Sequence, residues 1–241
     1  MKKIFLIASM ISISSFAGAA AHWDYSEVAK WGDLAEDFKT CKIGQNQSPI
    51  DIKTSSVEKA SLSPIKTSYN AASGEVVNNG HTIQINLKDA GTASVPSGSF
   101  SLVQFHFHTP SEEKINGANY AMVAHLVHKN DAGNLAVIAV LLKEGKENAA
   151  LKDVFANMPE TEGSKALPAA FDVTKILPAN LGYYAFTGSL TTPPCSESVA
   201  WQVLKTPVEL SKGQIASFQK IFKMNARSVQ PLNGRKVQEA N

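Results

Sequence analysis

The chain predicts a mainly β (α+β) fold: a single domain on a large, central, mostly antiparallel twisted β-sheet with short peripheral helices. Three observations carry that expectation. Strand-like runs recur at Glu75-Val76-Val77, Thr82 to Leu87, Phe100 to His108, Ala121 to His128 and Leu135 to Leu142. Turn-forming clusters separate them: Asn78-Asn79-Gly80, Lys88-Asp89-Ala90-Gly91 and Lys129-Asn130-Asp131-Ala132-Gly133. Helical periodicity is confined to two short segments, and no repeat or low-complexity linker divides the chain. Its 241 residues, 44% of them hydrophobic, suit one large core.

The N-terminus stands apart from that domain. Lys2 and Lys3 precede a short apolar stretch from Ile4 to Phe16, and Ala17-Gly18-Ala19-Ala20-Ala21 supplies small residues for cleavage. Residues 1–21 are therefore expected to be a signal peptide cleaved near Ala19 to Ala21, leaving 22–241 as the folded domain. A membrane span needs about 20 apolar residues, and none is expected once the signal is gone. Export to the periplasm, or secretion, follows, and the short signal without a lipoprotein cysteine favours soluble periplasm. Removing Lys2 and Lys3 takes the formal charge from +2 to 0, which leaves no electrostatic footprint for nucleic acid.

The two cysteines, Cys41 and Cys195, would reside in an oxidising compartment, so a disulfide between them is favoured over two separate buried thiols. Neither has a Cys or His nearby in sequence that would suggest metal ligation.

The strands follow from their patterns. Thr82 to Leu87 alternates polar and apolar residues, as a half-buried strand does. Leu135 to Leu142 is apolar throughout and reads as a central strand covered on both faces. Two helices complete the set. Asn148 to Asn157 carries Leu151, Val154 and Phe155 at helical spacing, and Ser211 to Gln214 forms a capping box before Ile215, Phe218, Ile221 and Phe222.

Phe105-His106-Phe107-His108 carries the chemistry. Strand side chains alternate, so His106 and His108 share one face while Phe105 and Phe107 pack on the other. A third imidazole, His125, lies on another apolar strand-like run. Three imidazoles with a fourth position open to water form the ligand set of a catalytic zinc. A cupin metal site would also use His106-x-His108 followed by Glu112. That pattern wants glycine six residues before the first histidine, where Phe100 stands, and a Pro-x-Gly that is missing before His125.

An ordered set of motifs resembles the α-class carbonic anhydrases over essentially the whole mature chain. They are His22-Trp23-Asp24-Tyr25, Gln45 to Ile52, Asn78-Asn79-Gly80-His81, Gln104 to His108, Pro110-Ser111-Glu112 and Ala124 to His128. Gly188 to Cys195, Val199-Ala200-Trp201 and Gln230-Pro231-Leu232 complete the series. The resemblance implies a zinc enzyme of exported bacterial type that hydrates CO2 reversibly to bicarbonate and a proton, through attack by zinc-bound hydroxide. Its partners would be CO2, bicarbonate and water, with a homodimer possible. A zinc esterase, or a non-catalytic binding module on the same fold, are the rival readings; the module would be marked by loss of a ligand histidine, and all three are present.

Carried over residue by residue, the resemblance implies His106, His108 and His125 as zinc ligands. Thr191 would orient the attacking oxygen, Glu112 would accept the Thr191 proton, and His81 would shuttle protons. Val127, Val137, Leu190, Thr192, Val199 and Trp201 would form the substrate pocket, with Gln104 and Tyr25 supporting the site and His128 structural. Two departures stand out. Val123 occupies a position, two before the third ligand, where many family members place an acid that receives the ligand's free N–H. Glu113 stands where the family often has His, a change expected to be harmless because it lies off the ligand face.

Overall fold

The computed structural model describes residues 21–240; the expected signal sequence through Ala20 lies outside them. Among the described residues a 13-stranded sheet forms the body of the molecule. The strands that matter for the site are β1 (Gly74–Asn78), β2 (Ile83–Leu87), β3 (Gly98–His108), β4 (Met122–Lys129), β5 (Leu135–Glu144), β6 (Tyr183–Ser189), β7 (Glu197–Leu204) and β8 (Gln238–Ala240). Their spatial order is β1-β2-β3-β4-β5-β7-β6-β8, with Gly163–Ala166 beyond β1 and Glu58–Lys59 beyond β8.

Most pairings are antiparallel, as expected. Parallel ones occur in this sheet between β5 and β7, between β5 and Val208–Leu210, and between β8 and Glu58–Lys59. The first arises because the chain leaves β5 for a long excursion and returns through the β6–β7 hairpin, which inserts β7 beside β5. Among the described residues no helix is long and apolar enough to cross a membrane.

The sheet divides the core into two layers. Phe105, Phe107, Leu126, Ile138 and Val140 face one side, packed beneath Phe155 of α1 (Lys152–Ala156) and Phe218 of α2 (Lys212–Ile221). Val123, Val127, Val137, Trp201 and Val203 face the other, with Ile50 and Ile52. Strand β5 is buried from Ala136 to Leu142, so its uninterrupted apolar sequence serves both layers.

The capping box at α2 forms as the sequence predicts: Gln214 N–H donates to Ser211 Oγ at 3.2 Å and Ser211 N–H to Gln214 Oε1 at 3.1 Å. The first helix is shorter than its periodicity suggests. Asn148 N–H donates to Gln214 Oε1 and Asn148 C=O accepts from Gln214 Nε2, so tertiary bonds divert the start of the segment. The helix then begins at Lys152.

A bulge between Val127 and His128 interrupts the β3–β4 register just beyond the site. His128 turns away from the other histidines, as expected, and its Nε2 lies 2.6 Å from the Tyr69 hydroxyl. Burial pushes its pKa down to about 4, against about 6.5 in an unfolded chain. The folded state thus favours the neutral ring, and stability is lost as pH falls from 6.5 toward 4, where only the unfolded chain takes the proton. That lowering corresponds to about 3 kcal/mol. Urea midpoints should therefore fall more steeply over this pH range for the native chain than for His128→Gln; parallel slopes would reject the assignment.

Candidate metal centre and active site

Strand register assembles the three imidazoles. His125 of β4 lies directly opposite His106 of β3, and His108 lies opposite Val123. Facing residues in paired strands share a side of the sheet, so the third histidine joins the two already placed by alternation. Their ligand atoms lie within 4.8 Å of one another.

Each imidazole has one nitrogen engaged and one left over. His106 Nδ1–H donates to Gln104 Oε1 at 2.8 Å, and His108 Nδ1–H donates to the Asn225 carbonyl at 2.7 Å. His125 Nε2–H donates to Glu113 Oε2 at 3.2 Å. The remaining atoms are Nε2 of His106, Nε2 of His108 and Nδ1 of His125. His108 Nε2 is buried with no hydrogen-bond partner, which is where a polar atom calls for an explanation. Two of the rings are held neutral and ready to donate a lone pair. Burial, then the charge of His125, pushes His106 down to about 3 and His108 well below its ordinary value. Burial also opposes charge on His125, but the Glu113 and Glu112 carboxylates outweigh it and its pKa is raised. The donor set fits zinc.

Glu112 lies beside this cluster, its Oε2 at 3.5 Å from His108 Nε2 and 3.8 Å from His125 Nδ1. Its Oε1 accepts the Arg227 backbone N–H at 2.7 Å. Burial pushes its pKa up to about 7, opposed by His125, by the Thr191 hydroxyl and by the Arg227 N–H. The structure thus brings Thr191 and Glu112 together, and Thr191 is buried. The loop bearing Thr191 is tied at several points. Cys195 N–H donates to Thr192 C=O, and Cys195 is joined to Cys41 with Cα atoms 5.0 Å apart. Cys195 itself adopts a left-handed φ of 57°, uncommon for a residue with a side chain. Just before the loop, a Cβ on Gly188 would sit 2.1 Å from Ser48 Oγ, so only glycine admits the Ser48–Ser189 hydrogen bonds that pin β6 to the chain ahead of Pro49.

An apolar wall stands next to the imidazoles. Val127, Val137 and Trp201 face one another across β4, β5 and β7 in a single lateral row. Trp201 meets His125 edge to face at 4.9 Å between ring centroids. Val199 is buried in the same layer, where the half-buried Leu190 packs against it; Thr192 is half-buried on the adjoining loop.

His81 is partly buried and stacked on Trp23, with ring centroids 3.7 Å apart and planes 7° from parallel. Burial lowers its pKa from the ordinary imidazole value. The Asn-Asn-Gly turn holds its backbone: His81 N–H donates to Asn79 Oδ1, and its carbonyl accepts from Asn225 Nδ2. The Tyr25 hydroxyl is buried without a protein partner, and burial followed by the Glu112 charge pushes its pKa well up.

One expectation is corrected. Glu113 is not remote from the ligands: it is fully buried and bonded to His125. Face alternation fails as a guide there because residues 109–113 bend and are not a strand, so consecutive carboxylates both turn inward. Val123 is fully buried in the apolar layer, and the acceptor of the His125 proton is a carboxylate rather than a backbone carbonyl or water. Little in the sequence marks Trp23, Asn225 or Arg227. The first carried a signal in the His22 to Tyr25 motif; the other two are over 100 residues from their partners and have no local pattern.

Comparisons with known proteins agree with this geometry. The family model of the eukaryotic-type carbonic anhydrases matches residues 26–241. A carbonic anhydrase of Klebsiella pneumoniae is 45% identical over 99% of this chain and 98% of its own, and one of Neisseria gonorrhoeae is 42% identical over 95% and 94%. The solved α-carbonic anhydrase of Thermovibrio ammonificans, in complex with sulfanilamide, is 48% identical and superposes with a TM-score of 0.89, covering 91% of this chain and all of its own.

The Cys41–Cys195 bridge closes a loop of 154 residues, for which the chain-entropy model gives about 5 kcal/mol. Replacing both cysteines by serine should lower stability by about 2–5 kcal/mol in urea unfolding. A reduced chain as stable as the oxidised one would show that hydrogen bonding alone holds the Thr191 loop.

Proposed function

The chain belongs to the eukaryotic-type carbonic anhydrase family, enzymes that interconvert CO2 and water with bicarbonate and a proton, and from that premise we propose which of its residues do the work. The observation that carries the reading is the convergence of three otherwise unengaged imidazole nitrogens beside Glu112 and Thr191. His106 Nε2, His108 Nε2 and His125 Nδ1 would hold zinc. Bound zinc supplies a Lewis acid that brings the pKa of water to about 7, a value for which carbonic anhydrase is itself the type example.

The surrounding residues would orient and divide the chemistry. The Thr191 hydroxyl, donating to Glu112, would have only lone pairs left to offer, so it would accept a hydrogen bond from the attacking oxygen and turn that oxygen's lone pair toward carbon. Backbone donation from Arg227 and the nearby Thr191 hydroxyl both favour the carboxylate form of Glu112. Val127, Val137, Leu190, Val199 and Trp201 would hold CO2 against an apolar surface without hydrogen bonds that would have to break. His81, a partly buried imidazole stacked on Trp23, would pass the surplus proton to solution.

Localisation follows from the same chain. The disulfide points to an oxidising compartment. The N-terminal Lys2-Lys3, apolar stretch and small-residue end support export to the periplasm.

Purified mature protein should carry about one zinc per chain and hydrate CO2. His108→Ala should lose both; full activity in that metal-free variant would reject the reading. Separately, His81→Ala should lower kcat on the order of 10²-fold while leaving kcat/KM nearly unchanged, because proton release follows bicarbonate departure. Added imidazole should restore much of the lost kcat. Thr191→Ala should depress kcat/KM instead, and a large fall in kcat/KM for His81→Ala without imidazole rescue would remove the shuttle assignment.

A further inference from the structure

The three ligand imidazoles differ in what receives their second N–H, and one of those acceptors is unexpected. His106 donates to a side-chain amide and His108 to a backbone carbonyl, both neutral. His125 donates to Glu113, a carboxylate with no accessible surface. The other Glu113 oxygen, Oε1, is buried and has no hydrogen-bond partner. Apart from that bond the carboxylate has no ion-pair partner among the described residues. Burying a carboxylate in this way costs free energy unless a specific partner compensates. The compensation here is the His125 ring.

We infer that Glu113 is the positioning residue for the third zinc ligand, fixing His125 in the tautomer that carries hydrogen on Nε2 and leaves the Nδ1 lone pair for metal. This inference rests on the zinc reading of the site. The reasoning is local. A lone neutral imidazole exchanges its proton between two nitrogens; a carboxylate 3.2 Å from Nε2 favours N–H there and therefore a bare Nδ1. Negative charge on the far side of the ring also strengthens the donor nitrogen and opposes metal release. The strand supplies no such acid, because the residue two positions before His125 on the same face is Val123. The bend at residues 109–113 supplies it instead, from the segment that also delivers Glu112. Two adjacent carboxylates thus divide the work: Glu112 faces Thr191, and Glu113 faces His125 from behind.

Glu113→Gln tests this while keeping the shape of the side chain. Zinc-loaded native protein and zinc-loaded Glu113→Gln would be mixed with excess chelator at neutral pH, and zinc release followed with time. Glu113→Gln should release zinc about 10- to 100-fold faster, the usual effect of losing such a partner. The His125 ring N–H resonance of the zinc-loaded protein, recorded by NMR, should move upfield as its acceptor loses charge. Release within twofold of native and an unmoved resonance would make Glu113 a packing residue and overturn the inference. Native protein that bound no zinc would instead reject the zinc reading on which it rests. A stability measurement on Glu113→Gln separates ligand release from unfolding, since a folded variant that sheds zinc quickly supports positioning.

Discussion

Everything at the site depends on the register between β3 and β4. His125 faces His106 because the two strands pair without slip from Val123 to Val127. A one-residue shift of β4 would turn His125 into the opposite layer, among Phe105 and Phe107. It would also turn the buried Leu126 toward the polar face. The apolar packing of one layer and the ligand geometry of the other are therefore the same constraint, and the burial of Leu126 and Phe105 helps to hold the imidazoles in place. The bulge falls immediately after the last residue the site needs. Its position lets the strand twist onward without disturbing the pairing that matters.

A second support comes from the chain's distant end. Asn225 accepts from His108 through its carbonyl, accepts the Thr109 N–H through its side chain, and donates to the carbonyls of Phe107 and His81. Arg227 gives its backbone N–H to Glu112 and its guanidinium to Gln47, Ser48 and Cys41. It also lies over the Trp31 ring at 5.7 Å. One short segment thus links a ligand strand, the Glu112 bend and the disulfide-bearing N-terminal chain. Such buried networks are effective only when nearly every member is satisfied, and Asn225 holds this one through its carbonyl and both ends of its side-chain amide.

How much of this was legible in the sequence follows from the range of each interaction. Strand alternation acts over two residues, so the shared face of His106 and His108 could be read directly. Capping chemistry acts over three, and Ser211–Gln214 was equally plain. His125 was readable as a candidate third imidazole on another strand-like run, but its place opposite His106 was not, because register is a property of two strands. Asn225 and Arg227 act across more than 100 residues with one bond each, and no local pattern marks them. Glu113 escapes for a different reason. Alternation holds only to the end of the strand at His108, and Glu113 lies five residues beyond it, past a bend where the rule has no physical basis. Asn148 erred likewise: its helical periodicity was real, but Gln214 drew its backbone into a tertiary bond instead.

The charge balance of the pocket explains why these pieces belong together. Glu112 and Glu113 are both buried, and the one guanidinium nearby, Arg227, directs its hydrogen bonds to Gln47, Ser48 and Cys41 rather than to either carboxylate. Three imidazoles in an apolar layer cannot compensate two carboxylates while remaining neutral ligands. Burial alone already pushes Glu112 toward protonation, up to about 7. A dication held by the three free nitrogens would resolve the conflict: the rings would stay neutral and Glu112 would return to the carboxylate form that accepts from Thr191. The same carboxylates that burden the protein fold alone would therefore become favourable beside a metal. That reciprocity would account for two buried carboxylates gathering beside a trio of histidines.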